Sequence, residues 1–430
     1  MRDEGERVNL DARFAGLPVP QPKQTKAKAW KQRLRLLGLQ AIGKTLPKAR
    51  PASTSDARKI LLIRPDHLGD LLFLTPTLRY LRTLLPKAHL TLLLGPWGEA
   101  LMRGNPHLDE ILSCQFPGFT RQPKPSVWQP YQYLQEQAAL LRPHNFDQAV
   151  ILRFDHWWGA WLAAAANIPQ RIGYATPEVI PFLTDPLPYR SNRHEVEQNW
   201  RLAHFAWSGE VTNDERRTTK SRYTESIGPL EFFISPEEQA WAEKWLVSGQ
   251  PSAAIRHSSL VTRHSLVVIH PGAGATVKLW RERAWAELAQ RLSDERNCRI
   301  IFSGGPAERD LCQRIAGQVS PKSMVAAGET SLGELAALMR RASLVIGPDT
   351  GPLKLAAAVG TSTLQLYGPV DPLKFGPWGG SQRHRIVTAN LPCQPCNAIS
   401  YSPQEAEAHF CARGLSLQSV LTEALDLLSD

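Results

Sequence analysis

The sequence predicts an α/β protein built from two doubly wound parallel-sheet domains. Three observations lead there. Residues 343–371 compress a strand, a tight turn, a helix and a second strand into one unit. There, residues 344–346 read as a buried strand ended by Gly347-Pro348, 353–359 as a helix closed by Gly360, and 363–366 as a strand stopped by Gly368-Pro369. Short apolar runs alternate with helically spaced residues over 59–152 and again from 266 onward, the pattern of a parallel sheet with crossover helices. Finally, 430 residues exceed what one hydrophobic core ordinarily organises.

Composition narrows the class. Hydrophobic residues make up 43% and charged residues 21%, as in soluble globular proteins. No apolar run is long enough to span a bilayer, and the N-terminus lacks the basic-then-apolar layout of a secretory leader. Six Cys over this length predict free thiols in a reducing cytoplasm. The net charge is +10, but the first fifty residues hold twelve Lys/Arg against four Asp/Glu. The rest is nearly neutral, so nucleic-acid binding by the globular body is not expected. The basic end reads either as a solvated tail or as a contact for an anionic membrane surface.

In order along the chain, residues 1–22 are aperiodic and end Pro-rich, which predicts disorder. Residues 26–46 read as a basic helix. Trp30, Leu34, Leu37 and Ala41 share one stripe, and Leu36, Leu39 and Ile42 fall off it. Globular structure is expected from Lys59: a strand at 60–63, a turn through Asp70, one helix carried by Leu71, Leu74, Leu78, Leu81 and Leu85, and strands at 90–94, 110–112 and 148–152. Residues 115–145 read as an insertion or partly helical excursion. In 153–206, Trp157, Trp158, Trp161, His194, Trp200 and His204 either line a sugar or headgroup site or simply pack. An exposed loop at 208–226, a helix at 236–246 and a linker at 248–264 lead to the second block. That block begins with a strand at 266–269, a helix at 283–292 and a strand at 299–302, and continues with helices at 309–316 and 331–340. The predicted domains are a basic extension (1–58), a first α/β domain (59–247), the linker (248–264) and a second α/β domain with a C-terminal helix (265–430).

The candidate site residues sit at strand ends, where doubly wound sheets bind ligands. Thr350 and Gly351 open a helix whose free N–H groups and dipole suit a phosphate. Asp349 either caps that helix or meets sugar hydroxyls. The loop holding Gly272, Ala273 and Thr276, with Lys278 after it, either cradles an anion or is a plain strand-to-helix turn; its spacing matches neither a P-loop nor a GxGxxG fingerprint. Glu308 either accepts ribose hydroxyls or is a first-turn helix acid. Asp70 either takes a proton from an acceptor hydroxyl or caps its helix, with a pKa lowered by the helix dipole. Cys393, Cys396, His409 and Cys411 have the make-up of a Cys3His zinc site or of structural thiols.

Taken as a set, four stretches resemble glycosyltransferase family 9, the ADP-heptose:lipopolysaccharide heptosyltransferases. They are Ile60-Leu61-Leu62-Ile63-Arg64 with Leu68-Gly69-Asp70; His270-Pro271-Gly272-Ala273 with Lys278-Leu279-Trp280; Ser303-Gly304-Gly305-Pro306 with Glu308; and Gly347-Pro348-Asp349-Thr350-Gly351-Pro352 with Tyr367-Gly368-Pro369. The resemblance implies a GT-B fold, two Rossmann-like domains facing a cleft. It implies inverting transfer of a heptose from a nucleotide sugar, ADP-heptose, to a lipopolysaccharide-core or other glycan acceptor, with no cofactor and no essential metal. By position, Asp70 matches the family's general base, Lys278 its donor-phosphate lysine, Glu308 its ribose acid and Asp349 its heptose-binding acid. Thr350 and Gly351 match its phosphate-binding helix start. Lys354 stands where members commonly carry His. The partners implied are a nucleotide sugar and a glycan or glycolipid; apart from the resemblance, the basic residues 23–50 offer a peripheral inner-membrane contact as the alternative to a solvated tail. The alternatives are transfer of another nucleotide sugar, a nucleotide-sugar epimerase or hydrolase, and a non-catalytic binding module.

Overall fold

The computed structural model describes residues 26–45, 57–120, 126, 128–208, 227–248, 265–320 and 323–429. The expectations for residues 1–22, for 209–226 and for the linker from 249 onward lie outside these.

Six parallel strands form the first sheet: β1 (Lys59–Arg64), β2 (His89–Leu94), β3 (Glu110–Ser113), β4 (Gln148–Ile151), β5 (Gln170–Tyr174) and β6 (Asp185–Leu187). Their order is β3-β2-β1-β4-β5-β6. The second sheet holds β7 (Leu266–Ile269), β8 (Arg299–Phe302), β9 (Met324–Val325), β10 (Leu344–Pro348), β11 (Ser362–Tyr367) and β12 (His384–Thr388). Its order is β12-β11-β10-β7-β8-β9, the same doubly wound order repeated. The central strands are apolar on both faces because helices cover both: Ile60, Leu61, Leu62 and Ile63 are fully buried, as are Val267, Val268 and Ile269.

In each half the strand order reverses beside the first strand, between β1 and β4 and between β7 and β10. At such a switch point the two following loops leave in opposite directions and open a crevice at the strands' carboxyl ends. Register fixes these crevices: Ile60 pairs with Gln148 in one half and Val267 with Leu344 in the other.

Several elements depart from expectation. The single helix predicted across 71–85 is two, Leu68–Leu72 and Thr75–Leu84. Pro76 has no N–H to continue the ladder, and the Thr75 hydroxyl donates instead to the Leu72 carbonyl at 2.8 Å. The excursion at 115–145 contains the helix Gln129–Leu141. Helix Pro236–Ser248, assigned by sequence to the first domain, packs on helix Leu332–Arg341 of the second half. Arg299 ties it there by donating to the Leu246 carbonyl at 2.8 Å.

Two further contacts cross between the halves. The His194 ring lies 3.0 Å from the Gly376 carbonyl, and Trp378 donates to the Gly228 carbonyl at 2.9 Å. The tryptophans of 153–206 pack. Trp158 is buried and donates to the Pro130 carbonyl, Trp161 stacks on Phe182, and Trp200 stacks on His204.

Candidate active site

The first wall of the cleft grows from the end of β1. Arg64 closes an apolar strand, so its guanidinium is buried and needs partners. It donates to the Leu152 carbonyl at 3.1 Å, to Asn199 Oδ1 at 2.9 Å and to Glu195 Oε2 at 3.1 Å. Its Nε faces Asp66 Oδ2 at 2.7 Å. Arg153, from the loop after β4, holds the other Asp66 oxygen and also pairs with Asp155 at 2.6 Å. Asp70 Oδ1 lies 3.9 Å from Arg64 Nη2.

Two guanidiniums thus serve four carboxylates, and Asp70 has the weakest hold. Burial, the negative charge of Asp66 and that of Glu195 push its carboxyl up to about 7, against the pull of Arg64. This corrects the expected lowering by the helix dipole: the Leu68–Leu72 helix is five residues long, and burial together with the neighbouring carboxylates outweighs its dipole. Asp66 goes the other way, held low by Arg64 and Arg153 in spite of its burial.

The opposite wall grows from β7 and β10. Thr276–Lys278 form a single 3-10 turn that presents Lys278. Its ammonium donates to Asp349 Oδ2 at 2.9 Å and to the Asp349 carbonyl at 3.1 Å. Lys354, in helix Gly351–Ala358, is buried and donates to Asp349 Oδ1, and the Tyr367 hydroxyl donates to the same oxygen at 3.0 Å. Burial would raise the Asp349 carboxyl, but Lys354 and Lys278 outweigh it and hold it down to about 2. Asp349 does not cap the helix. Thr350 occupies the N-cap without a side-chain cap bond, and its hydroxyl donates to the Pro348 carbonyl at 3.2 Å. The helix's first N–H groups therefore receive no side-chain cap from the N-cap residue.

Between the walls lies a cavity of about 400 Å³, lined among others by His67, Gly69, Ala273, Glu308, Thr350 and Gly351. Gly69 packs directly against Gly351: a Cβ on Gly69 would stand 3.6 Å from Gly351 Cα. Gly272 is glycine because Glu308 fills its side-chain space: a Cβ there would stand 1.8 Å from Glu308 Oε1. Glu308 Oε2 accepts from the Gly305 N–H at 2.7 Å and lies 3.8 Å from the His270 ring. Burial lowers the His270 pKa, which leaves that ring neutral around pH 7.

The Cys3His set is not assembled. Among the described residues no three His, Cys, Asp or Glu side chains gather as metal ligands. The His409 ring sits 4.0 Å from that of Tyr401, Cys411 is buried with its thiol pushed up to about 11 by that burial, and Cys396 is exposed. Sequence reasoning assigned no site role to Glu195, Asn199, Arg153 or Tyr367. The usable signals were the four-residue spacing of Glu195 and Asn199 on one helix face and a charged Arg64 closing a fully apolar strand.

Residues 137–406 match the model of glycosyltransferase family 9 (heptosyltransferase), more than half of the chain. The chain is 33% identical to lipopolysaccharide heptosyltransferase 1 of Pseudomonas aeruginosa over 144 residues, 33% of this chain and 39% of that protein. It is 24% identical to lipopolysaccharide heptosyltransferase 3 of Escherichia coli K12 over 317 residues, 72% of this chain and 82% of the relative. The solved structure of E. coli ADP-heptose lps heptosyltransferase II superposes with a TM-score of 0.61 at 20% identity, covering 85% of this chain and 99% of that one. That likeness identifies the fold as GT-B. With two repeated sheets, a cleft at their switch points and this match over most of the chain, the protein belongs to glycosyltransferase family 9, the heptosyltransferases, and is a glycosyltransferase.

Proposed function

We propose that the chain transfers a heptose from ADP-heptose to a lipopolysaccharide-core acceptor with inversion at the anomeric carbon. The observation that carries this is the meeting of unlike charged groups where the two halves touch, Gly69 beside Asp70 lying against Gly351 and Lys354. One wall offers a carboxyl with a pKa near 7, and the other offers two lysines and an open helix N-terminus. The likeness to ADP-heptose lipopolysaccharide heptosyltransferases supports the donor and the acceptor class.

Asp70 takes the proton of an acceptor hydroxyl as that oxygen bonds to the anomeric carbon. The bond from that carbon to the donor's diphosphate oxygen breaks, and its electron pair leaves with ADP. A base with a pKa near 7 is largely ionised at slightly alkaline pH and still basic enough to accept the proton. Lys278, Lys354 and the N–H groups at Thr350 and Gly351 take up the charge that develops on the diphosphate. Glu308 receives the nucleotide ribose, and Gly272 and Ala273 let the backbone approach. As phosphate draws the two lysines, Asp349 is freed to accept heptose hydroxyls. Helix contact between Gly69 and Gly351 keeps both walls close enough to exclude water.

The test is thermal unfolding with ADP, UDP, GDP and ADP-heptose, followed by product analysis with a lipopolysaccharide-core acceptor. A ligand at 100 times its dissociation constant adds about 2.7 kcal/mol. ADP should stabilise, and ADP-heptose more. A response to UDP or GDP alone overturns the donor, and consumption of ADP-heptose without an acceptor points to a hydrolase or epimerase.

A further inference from the structure

Helix Lys26–Thr45 contains six Lys/Arg and no acid. Its rotation about its own axis is set by the protein beneath it. Leu39, 3% exposed, and Ile42 pack with Val179, Phe182 and Leu183. Gly43 lies so close to the turn Ile180–Phe182 that a Cβ on it would stand 2.5 Å from Pro181 Cβ. Arg35 reaches Glu178 at 3.7 Å and the Trp157 ring at 5.8 Å. At 100° per residue, the docked Leu39 lies opposite the stripe of Trp30, Leu34, Leu37 and Ala41. The stripe therefore faces away from the protein: Trp30 is 65% exposed, Leu34 49% and Leu37 59%. The turn that carries the helix adds Ile180, 44% exposed.

We propose that this outward stripe rests on an anionic phospholipid surface, with the helix lying in the plane of the interface. The occupant must satisfy both features of the helix. A second copy would set one acid-free basic helix against another. A nucleic acid would meet the charge but offers no apolar layer for Trp30, Leu34 and Leu37. An anionic bilayer offers headgroup charge to Arg33 and Lys44, both exposed, and acyl chains to the stripe. Because Leu39, Ile42 and Gly43 hold the helix on the first half, docking would orient the whole molecule rather than tether it by a tail. The inference stands on the helix itself and does not depend on the acceptor assignment.

The experiment is co-sedimentation of the full chain with vesicles of phosphatidylethanolamine and phosphatidylglycerol, and with vesicles of phosphatidylcholine alone. The wild type should pellet with the anionic vesicles only and be released by high salt. Leu34→Glu/Leu37→Glu should abolish pelleting without lowering the melting temperature, since both side chains are exposed. Arg33→Gln/Lys44→Gln, which adds no charge to the stripe, should weaken partitioning by about twenty-five-fold, at roughly fivefold per basic residue. Wild-type protein that fails to pellet, or a Leu34→Glu/Leu37→Glu protein that pellets equally, overturns the proposal. So does light scattering that shows a wild-type dimer split by that variant, which would assign the stripe to a second copy. Transfer to a soluble acceptor should be the same in all three proteins, so loss of binding is read separately from loss of catalysis.

Discussion

Replacing Glu195 with glutamine isolates the electrostatic device that tunes Asp70. The amide keeps the shape and still accepts from Arg64, but one negative charge is gone. Glu195 Oε2 and Asp70 Oδ1 both face Arg64 Nη2, at 3.1 and 3.9 Å, so they lie within 7.0 Å of each other. At an effective dielectric of ~20, two charges at that separation repel by about 2.4 kcal/mol, or roughly 1.7 pH units. The Asp70 side chain is 31% exposed, and water screens part of this, leaving about one unit. Removing the repulsion also leaves Arg64 freer to serve Asp70, which acts in the same direction. The Asp70 carboxyl should fall from about 7 toward 6. The assay is kcat/KM against pH. A protonated Asp70 cannot accept a proton, so activity rises through its pKa, and in Glu195→Gln this acid limb should move about one unit lower. Relative activity should therefore increase at about pH 6, while the alkaline plateau drops modestly as the base weakens. An acid limb that stays in place, with activity reduced equally at every pH, would refute the tuning and leave Glu195 a structural anchor.

Asp70→Asn should abolish transfer and leave ADP binding intact. Because the folded-state pKa of Asp70 is raised, its ionisation costs stability as pH climbs from about 4 toward 7, so the substitution should also stabilise the protein by about 2–4 kcal/mol at alkaline pH and much less at about pH 4. Equal stabilisation at both pH values contradicts the raised carboxyl. Asp349→Asn leaves Lys278 and Lys354 without their anion and should cost about 3–5 kcal/mol, part of which ADP restores as its phosphates replace the carboxylate. Unchanged stability, or no rescue by ADP, would remove the lysine pair from the phosphate site. Gly272→Ala must displace Glu308, so ADP affinity should fall about ten- to a hundredfold, the worth of one charge-assisted hydrogen bond, with the fold retained; unaltered affinity would mean that Glu308 does not touch the ribose.

The parts of the fold that were legible in the sequence are mainly those where burial on both faces writes a continuous apolar run: β1, β2, β4, β7, β8, β10 and β11, with β3 read from the shorter pair Ile111-Leu112. The strands that were missed carry no such run. β5 holds Arg171 and Gly173, β6 is three residues with Pro186 in the middle, β9 is only two residues, and β12 opens on His384-Arg385. These lie toward the sheet edges and gain their place from neighbours already formed, which a local pattern does not record. Similarly, the helix stripe read at Trp30, Leu34 and Leu37 is real, but the sequence did not say which side faces the protein. The docked side is the weaker-looking one, because Leu39 and Ile42 find an apolar seat on Val179 and Phe182, more than a hundred residues away. At the cleft, the positions of the turns at both strand ends were legible, since glycine and proline after an apolar run stop a strand. Their electrostatics were not. The direction of the Asp70 shift depends on burial and then on Asp66 and Glu195, one four residues away and the other in a distant helix.

That dependence also explains how two aspartates beside the two switch points come to differ. Asp70 follows β1 and Asp349 follows β10, each at its sheet's switch point. Asp349 meets two ammonium groups and a phenol and is held down to about 2, too weak to accept a proton from a hydroxyl at neutral pH. Asp70 meets two further carboxylates across one shared guanidinium and is pushed up to about 7. On the proposed reading, identical side chains thus take opposite tasks from their burial and their neighbours, the one as proton acceptor and the other as a fixed anion. Exchanging the tasks would require moving the lysines, and these are committed by the chain to the wall where the diphosphate must leave. On the proposed reading, that commitment fixes the direction of transfer across the cleft: the acceptor hydroxyl must approach from the first half, because only there is a base available, and the nucleotide must depart into the second, because only there is its charge received.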